Sequence, residues 1–327
     1  MKPLMVSGQF PCIRVGKITE ALRIGHDALC RMRPPQMEYI YDNLYALRCA
    51  TQKEMGEWFR KHNGQYDLIH IHNEPNWPVV IAKEYQDAPV LMNVHDVTSA
   101  RPLQADSFEE AAFQAADAFV FISDWQRDFC IKIGLDVKDK PYCILSNYAS
   151  ESTIVEKPLL PRIGGVVYIG GLDTRGKQNS WRDLSPVADE MEKRGIPFHV
   201  FPGNPGIDYG IVHQTIMEYA AITYRMAQYD WGFSGTMMPN EAWHHSYPNK
   251  VFEYFAAGIP VLALNNPLIK QFCDEGLGIY LPDEHAIRGL ERIDPKPYAK
   301  RVREQRHRFT MSYNIKPLQD LYKELRG

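Results

Sequence analysis

Ser246 to Leu264 reads SYPNKVFEYFAAGIPVLAL, a short helix followed at once by a strand. Pro248 suits a first helical turn, where its missing N–H needs no partner. Ser246 or Tyr247 is the expected cap. Val251, Phe252, Phe255 and Ala256 form an apolar stripe at helical spacing. Gly258 falls where helices commonly end in a left-handed residue, and Pro260 blocks further helix. Val261 to Leu264 then has the uninterrupted apolar character of a buried parallel strand. Asn249, Lys250 and Glu253 share the opposite face. They read either as a solvated surface or as a binding face. In the second case the helix start and Lys250 meet a phosphate, while Glu253 accepts from two sugar hydroxyls.

The stretch PNKVFEYFAAGIPVLA resembles the donor-binding signature of GT-B glycosyltransferases, particularly family 4. In that family a Glu-x7-Glu motif spans the preceding loop and this helix. The second Glu matches Glu253, which the resemblance makes a ribose ligand. The first matches His245, so the sugar contact departs from the family pattern; Glu241 is a second acidic candidate for it.

Working outward, 327 residues suit two domains better than one core. The hydrophobic share of 45% and charged share of 24% are those of a soluble globular chain. A net charge of −3 gives no global field for nucleic acid. The six cysteines include no CxxC, so reduced thiols in a cytoplasmic protein are expected, with neither a disulfide framework nor a metal site. No apolar run approaches the ~20 residues that span a bilayer, and no signal peptide is read.

From the N-terminus, Pro3 to Val6 reads as a strand, with Gly8 and Gln9 in the turn after it. Gly8 either lets a ligand approach or simply makes the turn. Ile18 to Cys30 reads as a helix. Its Lys17, Arg23, His26, Arg31 and Arg33 are a solvated face or a peripheral contact with an anionic membrane. Met37 to Tyr41 is the expected second strand. Tyr66 to His72 is a central strand ending in Asn73 and Glu74, at the edge where α/β sites lie. His70 and His72 stand i, i+2, and no third metal ligand accompanies them. Pro89 to Val94 ends in His95 and Asp96. Taken alone, His95 is a catalytic acid, a ligand or a loop residue.

DLIHIHNE, PVLMNVHD and ADAFVFISDWQRDF are similar to successive family 4 segments. The resemblance implies an acceptor-side group of Gly8, Gln9, His72, Asn73, Glu74, His95 and Asp96. It implies that His95 reaches donor sugar and acceptor, with Asp96 as its orienting partner. Ser123 is otherwise a helix cap.

Glu151 to Arg162, with Pro158 and Pro161, is the expected linker. Gly165 to Leu172 is a strand running into a glycine-rich turn, which can cradle phosphate. This resembles the family's diphosphate element, with Gly171 in the place of its Arg. Arg175, then Lys177, are the replacements the spacing offers, beside Gly170 and Gly171. Trp181 to Arg194 reads as a helix. Tyr298 to Phe309 is a basic helix, which reads as a nucleic-acid patch or as a solvated face.

The expected architecture is α/β GT-B: two Rossmann-like domains, 1–153 and 154–295, facing a cleft, with helices in 296–327 crossing back. The implied function is transfer of a hexose from a UDP- or GDP-sugar to an acceptor hydroxyl, with retention and without cofactor or metal. His95, Glu253 and Lys250 are the catalytic candidates. The acceptor classes left open are a glycan, a lipid-linked sugar, a small molecule and a modified DNA base. A sugar-nucleotide epimerase on the same fold, or an inactive binding scaffold, are the alternatives.

Overall fold

The computed structural model describes residues 3–7, 13–22, 26–30, 44–48, 51–73, 75–100, 107–177, 180–203, 205–213, 219–237, 243 and 246–327. The chain divides into two units, Met1–Ser146 with Asn314–Gly327, and Asn147–Tyr313.

The first unit runs β1 (Pro3–Ser7), α1 (Ile13–Leu22), β2 (His26–Cys30), β3 (Leu44–Arg48), α2 (Gln52–Lys61), β4 (Leu68–His72), α3 (Trp77–Tyr85), β5 (Val90–Val94), α4 (Glu109–Ala115), β6 (Ala118–Phe121), α5 (Asp124–Lys132) and β7 (Tyr142–Ile144). Among the described residues its seven strands are all parallel, in the order β3-β2-β1-β4-β5-β6-β7. Short helix starts are fixed by their side chains. Thr51 and Glu54 make a reciprocal capping box on α2, and Ser123 caps α5 through the Gln126 N–H at 3.3 Å. The core between sheet and helices is apolar, with Phe59, Ile69, Ile71, Met92, Phe113 and Phe119 fully enclosed.

The helix read over Ile18 to Cys30 is corrected. It ends at Leu22, and His26–Cys30 is a strand in parallel register with Leu4 to Ser7. Sheet pairing overrides the helical spacing of Ile18, Leu22 and Leu29. Lys17 is also not on a solvated face, since it is 1% exposed. The strand expected over Met37 to Tyr41 lies outside the described residues.

The second unit runs β8 (Val166–Gly170), α6 (Ser185–Lys193), β9 (Phe198–Pro202), β10 (Ile211–Val212), α7 (Tyr219–Met226), β11 (Trp231–Gly235), α8 (Asn249–Ala257), β12 (Val261–Leu264), α9 (Pro267–Asp274), β13 (Gly278–Leu281) and α10 (Lys296–Gln305). Six parallel strands are ordered β10-β9-β8-β11-β12-β13. After the short α11 (Met311–Asn314), α12 (Lys316–Glu324) packs on the first unit against β7. Residues 296–313 stay with the second unit. So does the stretch read as a linker: Glu151–Thr153 is a 3-10 turn, and the Val155 N–H donates to the Ala256 carbonyl at 2.9 Å.

The helix α8 is deeply enclosed, with Val251 to Ala257 all buried. Tyr254 is completely enclosed, and its hydroxyl faces the carbonyls of Phe233, at 3.0 Å, and Val167. A Cβ on Gly232 would stand 2.2 Å from the Tyr254 ring, so β11 needs a glycine there. Gly258 closes the helix at φ 78°, as the sequence leads one to expect.

The basic residues of the helix read over Tyr298 to Phe309 make contacts within their own unit. Arg303 donates to the Gly258 carbonyl at 3.4 Å and Arg301 to Glu275 O at 3.0 Å. Buried Arg306 donates to Val155 O and Glu156, and Arg308 to Glu275 and Gln305. Arg303 therefore places a cation at the negative end of α8.

Candidate active site

In the second unit the C-terminal end of β8 meets the N-terminal end of α8. Gly170, at φ 130°, and Gly171 form the turn. A Cβ on Gly170 would lie 3.3 Å from Lys250 Nζ, and one on Gly171 would lie 3.0 Å from Arg182 Nη1. Two cations thus close on a two-residue glycine turn that leaves little space for side chains. Gly203 N–H donates to Gly170 O at 3.3 Å, and the Tyr168 hydroxyl donates to Gly171 O at 3.1 Å, so the turn is braced from two sides.

Each cation rests on a ring. Lys250 Nζ stands 3.7 Å from the Tyr168 ring centre, and the Arg182 guanidinium 4.3 Å from that of Trp181. Burial pulls the Lys250 ammonium down from its ordinary 10.5 to about 7; Glu253 works against that shift and Arg182 adds to it. Glu253 is buried one turn behind Lys250, and Asn249 is exposed at the helix start. The cap expected from Ser246 or Tyr247 is corrected: Pro248 occupies the cap position, and among the described residues no side chain caps the helix. The Ser246 hydroxyl donates to Trp243 O instead, and the Tyr247 hydroxyl accepts from Gln271.

The basic residues nominated by spacing stand elsewhere. Arg175 makes a two-pronged pair with Asp189 at 2.7 and 3.0 Å, and Lys177 pairs with Asp173 at 2.7 Å. Both are largely exposed, and Arg175 lines a separate groove of about 480 Å³ with Asp189, Asp208 and Tyr209. Arg182 takes the position beside Gly171 that was expected for Arg175. The sequence reading hid it, because Trp181 to Arg194 reads as one helix; α6 begins only at Ser185 and leaves Arg182 in the loop. Glu241 and His245 lie outside the described residues.

In the first unit the C-terminal edge of the sheet carries a buried imidazole cluster. His70 and His72 project from the same face of β4, and their rings stack at 4.8 Å with 13° between planes. Arg14, on α1 and 2% exposed, donates from Nε to Asn93 Oδ1 at 3.1 Å and from its other nitrogens to the carbonyls of Ser146 and Leu145. With its oxygen so engaged, the Asn93 amide donates to His70 Nε2 at 3.3 Å. His70 Nδ1 therefore carries the proton and donates to the Tyr322 hydroxyl at 2.6 Å. Tyr322 comes from α12. Neither Arg14 nor Tyr322 carries a motif that would have marked it.

His72 Nδ1 and His95 Nε2 are 2.8 Å apart. Burial holds both rings well below the usual imidazole value. For His72 the neighbouring His70, His95 and Arg14 charges follow in that order; for His95 they are Arg14 and His70. The partner expected for His95 was Asp96, but its ring bond goes to His72. Asn73 holds the backbone: its amide donates to Asp96 O at 2.7 Å and its oxygen accepts the His95 N–H at 2.7 Å. Gln126 secures His95 O at 3.2 Å. Asn73 and Gln126 are thus committed to fixing the loop that presents His95. Gly8, Gln9 and Glu74 lie outside the described residues. Among the described residues no group of three or more His, Cys, Asp or Glu is placed to hold a metal, and no helix is long and apolar enough to cross a membrane.

Residues 25–147 match the family model described as Glycosyltransferase Family 4. No curated protein matches the chain. Its fold is similar to that of sucrose-phosphate synthase from Thermosynechococcus elongatus, at 13% identity, covering 99% of both chains with a TM-score of 0.68. Anabaena HepE in complex with UDP is similar at 12% identity, again over 99% of both chains, with a TM-score of 0.68. An alpha-glucosyltransferase in complex with UDP and a 13-mer DNA containing a HMU base is similar at 11% identity, over 99% of both chains, with a TM-score of 0.66. The likeness along the whole chain gives the GT-B fold, and residues 25–147 are similar to the Glycosyltransferase Family 4 model.

Proposed function

We propose that the chain transfers a hexose from a nucleotide diphosphate sugar to an acceptor hydroxyl, with retention of configuration and without a metal. The observation that carries the donor side is the pair of cations, Lys250 and Arg182, closing on the Gly170–Gly171 turn at the start of α8. A diphosphate meets two positive groups and the positive end of a helix there. Negative charge grows on the leaving diphosphate as the glycosidic bond breaks. Donors already in place stabilise it without reorganisation. Glu253, one turn deeper, is the ribose ligand in this reading, and the His72–His95 edge of the first unit serves the acceptor side. HepE in complex with UDP and with UDP-glucose makes a uridine donor the first to test.

The test is a thermal-shift screen of UDP, GDP and ADP with their common sugars, on the wild-type chain and on Glu253→Ala. A ligand that binds only the folded state raises the melting temperature by mass action, about 2.7 kcal/mol of stabilisation at a hundred times Kd. One base should stabilise the wild type, and the gain should vanish in Glu253→Ala. If no nucleotide shifts the wild type at millimolar concentration, the donor site is not where it is placed here. Turnover with the binding nucleotide sugar and a panel of glycan, lipid-linked, small-molecule and DNA acceptors then identifies the acceptor.

A further inference from the structure

His72 is 1% exposed, and among the described residues its Nε2 has no hydrogen-bond partner. Its Nδ1 is bonded to His95 Nε2. One proton lies in that bond, and its owner decides how His95 meets a ligand. If His95 owned it, His72 would hold its own proton on Nε2, as a buried donor with nothing to donate to. If His72 owns it, only a bare lone pair is stranded on Nε2. Buried orphan donors are rarer in folded proteins than buried under-used acceptors. A doubly protonated His72 would strand the same donor and add a charge among Arg14, His70 and His95. The bond therefore runs from His72 Nδ1–H to His95 Nε2.

The consequence falls on the other side of the His95 ring. A neutral imidazole that accepts at Nε2 carries its proton on Nδ1. His95 is only half-buried, and among the described residues nothing bonds its Nδ1. We propose that His72 is a positioning residue which locks His95 as the Nδ1–H tautomer, so that His95 meets its ligand as a neutral hydrogen-bond donor and not as a base. The tautomer rests on this cluster's geometry alone. That the oxygen it meets is a carbohydrate hydroxyl rests on the glycosyltransferase reading. The backbone clamps from Asn73 and Gln126 fit such a role, because a donor must be aimed.

The experiment is imidazole ¹⁵N NMR of the full chain without ligand at pH 7.5, with the His95 signals assigned by their loss in His95→Gln. The expected wild-type spectrum has a protonated Nδ1 and a lone-pair Nε2 on His95. In His72→Leu, which removes the donor, the population should shift toward Nε2–H; in His72→Asn, which keeps an amide donor near the place of Nδ1, the wild-type tautomer should persist. A wild-type His95 protonated on Nε2 overturns the proposal, as does a tautomer unchanged in His72→Leu. If the leucine variant does not fold, the wild-type spectrum decides alone. No turnover enters these measurements, so a failure of the glycosyltransferase reading and a failure of the tautomer lock are seen separately.

Discussion

If Lys250, held at about 7, meets the donor diphosphate as proposed, donor binding depends on pH in a calculable way. At pH 7 about half of the ligand-free molecules carry a charged Lys250. At pH 8.5 only about 3% do, by the ordinary titration law. A bound diphosphate favours the charged form, and with two phosphate charges beside it the ammonium should stay protonated past pH 9. Binding then includes capture of a proton. Between pH 7 and 8.5 the affinity should weaken about fifteen-fold, a little under 2 kcal/mol. At pH 8 each binding event should take up about 0.9 proton.

The assay is isothermal titration calorimetry with UDP-glucose, or whichever nucleotide sugar the thermal screen selects. It is run at constant ionic strength in buffers of different ionisation enthalpy. The diphosphate of a nucleotide sugar carries no proton that titrates in this range, so the uptake reports on the protein. Lys250→Met should bind weakly, with a flat pH profile and no buffer dependence. The same lysine leaves a mark without ligand. Its folded value lies below its unfolded one, so the unfolded chain binds more protons between about 7 and 10.5. Stability gained through Lys250 therefore rises with pH across that window, by an amount on the order of a few kcal/mol, and Lys250→Met should abolish the rise. Equal affinity at pH 7 and 8.5 in the wild type, with heats independent of buffer, would refute the reasoning.

Three further outcomes are expected. Arg182→Met should weaken nucleotide-sugar binding tenfold or more in the same calorimeter, whereas Arg175→Met should stay within about twofold and leave the unfolding midpoint nearly unchanged, since its Asp189 pair is an exposed one; equal effects would return the clamp to Arg175. His72, His95, His199 and His213 are all held below the usual imidazole value, His199 at about 4, chiefly by burial. The unfolded chain then binds more protons below pH 6.5, so urea unfolding should show stability falling from pH 7 to pH 5, each ring contributing up to about 1.4 kcal/mol per pH unit until its folded value is reached; a flat profile would mean that these rings are solvated. Gly232→Ala drives a methyl to 2.2 Å from the Tyr254 ring and should cost about 3 kcal/mol or more in urea unfolding, with a loss under 1 kcal/mol showing that β11 can move aside.

What the sequence revealed and what it hid follow from how far each contact reaches along the chain. The α8–β12 stretch is legible because its determinants are local: stripe spacing, Pro248, Gly258 and Pro260 act within a few residues of where they stand. The strand ends carrying His72 and His95 are legible for the same reason. The strand His26–Cys30 was not, because its identity comes from pairing with Leu4 to Ser7 across an intervening helix. The cations show the same divide. Lys250 could be read from its place in a helical pattern. Arg182 could not, since nothing within four residues of it says that β8 ends beside it; a search by spacing reaches Arg175 and Lys177 first, and both already have carboxylate partners nearby in sequence.

The imidazole cluster is the furthest case. His70 and Tyr322 are 252 positions apart, and Arg14 reaches Asn93 over 79 and Ser146 over 132. Such groups are brought together by the parallel sheet and the returning α12. Their proton arrangement is fixed by one another and not by any motif. The sequence can therefore nominate His95 as a group at a strand end, but not the His72 bond behind it or the Arg14–Asn93–His70 chain that stacks on His72. A substitution at any of these should alter the environment of His95 without touching a ligand. Tyr322→Phe is the mildest such change: it removes the hydroxyl that accepts from His70. If the cluster acts as one network, that variant should perturb the His95 ring signals as well as those of His70. A change confined to His70 would show two separate hydrogen-bonded pairs that merely stack.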